Sequence, residues 1–233
     1  MATSATEKTK NLSKTSVDCS LLLTHLVRGD SEEKQLKAKE VLKSILGIGR
    51  SGRPLLKAAP TGWAANLESL SVFDAASKDW SRNMSELLKS ICFTESTLAG
   101  LKAHRDVYGA QYGLAFDRDY LLSRGANPCL NIRQSLLQAE IESKEIIDGT
   151  PAMRRRKIYN FIPIQLMPFV NIINDNFDAT PEREWRHVGD LDFSAKDAFF
   201  LFCPEAEFEE FSLIKEGNFK RPVMFDLAWL DRI

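Results

Sequence analysis

A mixed α+β fold is what this sequence predicts, and three observations predict it. Strand-like runs, apolar or alternating, are spread along the whole chain, among them "LLLTHLV", "SICFTES", "YGLAF", "EREWRHV" and "DAFFLFC". The helical stretches between them are short and irregular. The one match to a dinucleotide fingerprint, "GIGRSG" at residues 47–52, follows a helix and runs into Pro54. That fingerprint must follow a strand and open a helix, so a loop explains it and a doubly wound parallel sheet is not expected. With 233 residues, 44% of them hydrophobic, the chain can bury a substantial core. It has no internal repeat and no interior low-complexity linker. Residues 17–233 therefore read as one domain behind a flexible polar tail, residues 1–16.

The elements follow in order. "CSLLLTHLVRG" begins with the apolar run Leu21 to Leu23 and reads as a buried strand. "DSEEKQLKAKEVLKSILG" is a helix, with Asp30 as N-cap, Glu33 three residues on, and Gly47 as its stop. Its apolar face is Leu36, Val41, Leu42, Ile45 and Leu46. Residues 53–80 read as loop-rich, and "MSELLKS" as a short helix. "SICFTES" is a short strand ending in polar residues, and "TLAGLKAHRD" is helical. In "YGAQYGLAFDRDYLLSRGANPCLNIR", Tyr112, Leu114 and Phe116 alternate with Gly113 and Ala115, so one strand face is small enough for close approach of another backbone or a ligand. Asp117 caps a short helix that Gly125 ends, and "NPCLNI" resumes as a strand. "QSLLQAEIESKEIIDG" and "PAMRRRKIYNFI" read as two helices. After "DAFFLFC", Pro204 opens the helix "PEAEFEEFSLIKEG", and "PVMFD" is the last strand.

The totals exclude several classes. A net charge of −1 gives no global footprint for nucleic acid, so such binding would have to come from a local patch. Arg154, Arg155, Arg156 and Lys157 form such a run, which reads either as a phosphate grip or as a solvated helix face. No apolar run approaches the ~20 residues of a membrane span, and the N-terminus lacks the apolar core of a secretory signal. The four cysteines are scattered without a C-x-x-C pair, which speaks against structural zinc and fits a reducing cytoplasm. No metal is expected.

Chemistry has few places to sit. There are three histidines, no nucleophile elbow, no H-E-x-x-H and no P-loop. Polar groups gather at strand ends instead: His25 and Arg28 after the first strand, then Thr94, Glu95 and Ser96. The stretch "ATPEREWRHVG", residues 179–189, adds Glu182 and Glu184. Read as a strand, it puts Glu182, Glu184 and Arg186 on one face and Arg183, Trp185 and His187 on the other. Two carboxylates beside a guanidinium suit a solvated edge or a site.

Taken together, "LLTHLVRG", "VLKSIL", "ICFTES", "YGLAFDRDYLLSRGANPCLNI", "EREWRHVGDLDF" and "FFLFCPEAEFEEF" resemble the AbiGi family of abortive phage-resistance proteins, over roughly residues 19–211. The likeness is most specific at "CFTES", "YGLAFDRDYL…GANP" and "EREWR". It implies a bacterial phage-defence context and a cognate defence-system partner. A more distant likeness is to ADP-ribosyltransferase folds, including DarT-type enzymes. It implies a single domain with a split, mostly antiparallel central sheet. It further implies His25 or Arg28 at the first position of that motif order, Thr94 and Ser96 at the second, and Glu182-Arg183-Glu184 as the Glu-x-Glu.

On that resemblance NAD is the substrate and Glu184 the catalytic carboxylate, because an oxocarbenium-like state needs a negative charge beside the ribose. Glu182 would orient or deprotonate the nucleophile. His25 and Arg28 would bind ribose or phosphate, and Tyr108 or Tyr112 would stack on nicotinamide. The strand bearing "FTES" departs from the pattern in lacking a full Ser-Thr-Ser. Two alternatives stay open. One is a non-catalytic antitoxin or partner protein, which would show an exposed apolar patch such as the terminal "FDLAWLDRI". The other is a nuclease using His25, Arg186 and the glutamates.

Overall fold

The computed structural model describes residues 20–29, 31–48, 53–60, 71–74, 79–83, 88–137, 140–147, 150–157, 162–163, 165–212 and 222–232. Seven of its strands form one sheet: β1 (Leu22–Val27), β2 (Ser90–Thr94), β3 (Tyr112–Asp117), β4 (Asn127–Pro128), β5 (Glu184–Val188), β6 (Ala198–Phe202) and β7 (Val223–Phe225). They lie in the order β7-β6-β3-β1-β2-β5-β4. Every neighbouring pair is antiparallel except β6–β7. The fold is α+β with a mostly antiparallel sheet, as expected. Its centre is weakly joined: β1 and β2 are in register at Thr24 opposite Thr94. By contrast, β1 runs beside β3 from Leu22–Asp117 to Val27–Tyr112.

Alternation along the strands gives the sheet two different faces. Leu23, Ile91, Phe93, Leu114, Phe116, Trp185 and Leu201 belong to the larger core, which the helix α1 (Glu32–Ile45) closes with Ala38, Leu42 and Ile45. The helix α2 (Leu98–Tyr108) covers the other face, where Leu101 meets Ala115, Phe202, Leu227 and Leu230. Gly113 marks a close approach of β3 to β1. A Cβ there would lie 2.5 Å from the His25 carbonyl oxygen, so the small face of β3 admits a neighbouring backbone.

Several local signals hold. Thr97 caps α2, Asp117 caps the helix α3 (Arg118–Ser123), and Gly125 adopts φ 95° just beyond α3. Others do not. Ser31 caps α1, accepting from the Lys34 N–H, a role the sequence reading gave to Asp30, which lies outside the described residues. Leu36 and Val41 are exposed, because the larger core takes only the Ala38, Leu42 and Ile45 side of α1. The loop assigned to residues 53–80 contains the short strand Leu55–Leu56 and the hairpin Ser71–Asp74 with Asp79–Asn83.

The largest departure is the pair of helices expected over residues 134–162. One helical turn, Gln134–Leu137, is followed by two antiparallel strands, Glu140–Ile147 and Thr150–Lys157. Asp148-Gly149 separates them, a dipeptide that signals a two-residue hairpin loop more strongly than the flanking charges signal helix. The basic run is therefore on a strand, not a helix face, with Arg155 opposite Glu142 and Lys157 opposite Glu140. The polar tail, most of "GIGRSG" and the first half of "MSELLKS" lie outside the described residues. No helix among the described residues is long and apolar enough to cross a membrane.

Candidate functional site

The weak β1–β2 junction opens a cavity of about 100 Å³ on the side covered by α2. His25, Arg28, Thr94, Glu182 and Glu184 line it, together with His104 and Tyr108 from α2. The His25 ring bridges the junction, Nδ1 lying 2.8 Å from the Cys92 carbonyl. A carbonyl only accepts, so Nδ1 carries the proton. Burial holds His25 below the ordinary histidine range, and the Cys92 carbonyl works against that shift.

The two glutamates of "EREWR" do not share a strand. Thr180–Glu182 is a 3₁₀ turn, Arg183 takes a left-handed conformation at φ 46°, and β5 begins at Glu184. Glu184 is nearly buried, its side chain 9% exposed, and it is engaged through both carboxylate oxygens. Arg186 donates to it twice, Nε to Oε1 at 2.9 Å and Nη2 to Oε2 at 3.0 Å, and Asn171 Nδ2 donates at 2.7 Å. Arg186 is itself buried, donating also to the Pro168 carbonyl at 2.7 Å and to Asn171 Oδ1. Burial by itself would raise the Glu184 pKa. The hydrogen bonds and charge of Arg186, with help from Cys92 and Asn171, outweigh it and hold the carboxyl below its usual range. Burial first, then the charge of Glu184, pushes the Cys92 thiol up to about 12, so Cys92 stays protonated beside the carboxylate.

Glu182 is the half-buried carboxylate of the cavity. Tyr108 donates its hydroxyl to Oε1 at 3.0 Å, and Arg28 Nη2 lies 3.7 Å from the same oxygen while its guanidinium sits 4.2 Å over the Tyr108 ring. Thr94 donates to the Glu182 carbonyl at 2.6 Å. Its proton is then spent, so Ser96 donates to Thr94 Oγ1, and His104 Nε2, 3.3 Å away, must bear a proton to bond it. Thr94 is therefore not poised as a nucleophile. Burial lowers the His104 pKa, with Glu182 opposing and Arg28 reinforcing the shift.

The structure thus gathers His25, Arg28, Thr94, Glu182 and Glu184 around one cavity. Ser96 joins through Thr94 but lines a neighbouring groove. Tyr112 does not join: it is buried in the larger core and donates to Glu207 at 3.1 Å. Trp185 is buried, its indole donating to Glu95 Oε2 at 3.0 Å, and Arg118 and Arg183 each approach Glu95 Oε1 at 3.5 Å. Sequence reasoning missed His104, which stands four residues before Tyr108 on α2 and stacks with it at 5.6 Å. It also missed that Arg186 and Asn171 neutralise and satisfy Glu184. The terminal "FDLAWLDRI" is not an apolar patch: Leu227 and Leu230 are buried against α2, and Asp231 pairs with Arg105 at 2.7 Å. Among the described residues no group of three or more His, Cys, Asp or Glu side chains converges as metal ligands would.

No curated protein and no solved structure gives a significant match to the chain, so the ADP-ribosyltransferase likeness has no structural relative behind it. One family profile does match, over residues 67–212, and its description reads "Putative abortive phage resistance protein AbiGi, antitoxin". The match takes in β2 to β6 and α2, and with them Thr94, His104, Tyr108, Glu182 and Glu184, while β1 and α1 precede it. Spanning more than half of the chain, it shows that this protein belongs to the AbiGi family.

Proposed function

We propose that this chain works in bacterial anti-phage defence as the antitoxin of an abortive-infection pair, acting by binding a cognate protein. The observation that carries this reading is the state of Glu184. A carboxylate that accepts two hydrogen bonds from Arg186 and one from Asn171, both partners being buried, is a strand lock. It has no spare capacity to stabilise a developing ribosyl cation. The test is co-expression with the cognate toxin. Wild type and Glu182→Gln are both expected to restore growth, and the purified chain is expected to consume no NAD. Toxicity of this chain when expressed alone, with NAD loss, would overturn the reading.

A second reading has one observation in its favour, the convergence of His25, Arg28, Thr94, Glu182 and Glu184 on one cavity. On it the chain is an NAD-dependent ADP-ribosyltransferase, and Glu182, not Glu184, is the working carboxylate. Glu182 is half-buried and held by Tyr108 and Arg28 rather than by a buried ion pair. Ligand pockets usually measure ~300–1,000 Å³, so the cavity of about 100 Å³ would have to widen at the β1–β2 junction. Incubation with labelled NAD and a cell extract separates the two: transfer of label that Glu182→Gln abolishes favours the enzyme, and its absence in wild type favours the antitoxin.

A further inference from the structure

The two most exposed large apolar side chains among the described residues are Val107, 70% exposed, and Leu36, 69% exposed. They stand on different helices, Leu36 on α1 and Val107 at the end of α2, yet both line one open groove of about 700 Å³. A single apolar residue at a surface needs no explanation. Two from separate helices that flank one groove of ligand-site size do.

The groove is held in shape from beneath. Gln35 Nε2 donates to the carbonyls of Gly29 and Gly109, and the Gly29 N–H donates to the Tyr108 carbonyl at 3.1 Å. These bonds tie the turn between β1 and α1 to the turn between α2 and β3, so a partner would meet a preformed surface.

Its charge is negative. Glu32, Asp106 and Glu207 line it against one cation, Lys39. Lys39, with Lys43 beside it, answers to three carboxylates, those of Glu40, Glu207 and Glu210. Asp106 and Asp231 are balanced by Arg105 and Lys102. Glu32 has no ion pair with any described residue. Glu32 and the surplus carboxylate of the Lys39 cluster therefore leave the rim acidic around two uncovered apolar side chains.

Resting on the antitoxin reading, we infer that the cognate protein docks in this groove through a basic amphipathic segment. Apolar side chains of that segment cover Leu36 and Val107, and its lysines or arginines meet Glu32 and Glu207.

Isothermal titration of the full chain with the acetylated peptide LKKLLKKL tests the chemistry, with LEELLEEL as the probe of equal apolar content and opposite charge. The basic peptide is expected to saturate one site, and the acidic one to bind at least about tenfold more weakly, because like charges across an interface repel. Leu36→Ser combined with Val107→Ser is expected to weaken the basic peptide about tenfold, as loss of an interface anchor does. Its melting midpoint should not move, since both side chains are exposed. In co-expression with the cognate toxin, the same double variant is expected to lose the growth that wild type restores. Equal affinity for the two peptides overturns the proposal, as does the absence of saturable heat at millimolar basic peptide. Unchanged affinity or full rescue by the folded double variant overturns it too. Failure of wild type itself to restore growth would count against the antitoxin reading instead, and the peptide comparison on wild type would still decide the groove.

Discussion

Glu182 and Glu184 stand two residues apart, and their surroundings assign them opposite roles. Glu184 has a side chain 9% exposed against an Arg186 side chain 4% exposed. Removing one partner of a buried pair leaves the other charge without compensation, which costs ~3–5 kcal/mol. Glu184→Gln is therefore expected to lower stability to urea by about 3 kcal/mol. Glu182→Gln should cost under about 1 kcal/mol, since its Arg28 partner is largely exposed and the pair is screened by solvent. Equal losses in the two variants would contradict the distinction. Part of this was legible: residues i and i+2 of a strand share a face, and Glu184 and Arg186 do. What the sequence could not reveal is Asn171 and the Pro168 carbonyl. They arrive from a separate segment and turn a candidate acid into a buried ion pair.

Elements were readable where a local signal and a tertiary need agreed. Asp117, Thr97 and Gly125 mark helix ends by their own chemistry, and the small face of β3 was plain in "YGLAF". The chain went wrong for sequence reasoning at residues 140–157, where charged residues at helix-like spacing masked a hairpin whose Asp148-Gly149 signal was there to be used. Arg183 is a second case. One residue at positive φ breaks the alternation that would have put both glutamates on one strand face. The register of β1 against β3 can be tested at Gly113. A Cβ placed 2.5 Å from the His25 carbonyl oxygen must push the two strands apart. Gly113→Ala is expected to destabilise by about 1–3 kcal/mol, the usual cost of overpacking. Urea unfolding measures it, and a neutral or stabilising result would mean that β1 yields freely at this point.

At the scale of the whole molecule, the polar seam under α2 gives folding a pH dependence that can be worked out from its groups. His25 and His104 both have pKa values lowered in the fold, chiefly by burial. A depressed folded value means that the unfolded chain binds protons more readily. Stability is then fully present above the ordinary histidine pKa of about 6.5 and is lost as pH falls below it. Glu184 is also lowered, by Arg186 against burial, so its contribution is present above about pH 4.3 and fades below that. Two separate acid losses follow, one beginning near pH 6.5 and a second below about 4.3. A series of melting temperatures between pH 3.5 and 8 at constant ionic strength should rise in two steps to a plateau near neutrality, on the order of the values just given. His104→Gln should flatten part of the upper step, because the amide still bonds Thr94 Oγ1 but cannot take up a proton on unfolding. Glu184→Gln should remove the lower step while leaving the upper one. An upper step unchanged in His104→Gln and in a matching His25→Gln would show that the histidines do not carry it, and that the β1–β2 junction is not where acid first opens the fold.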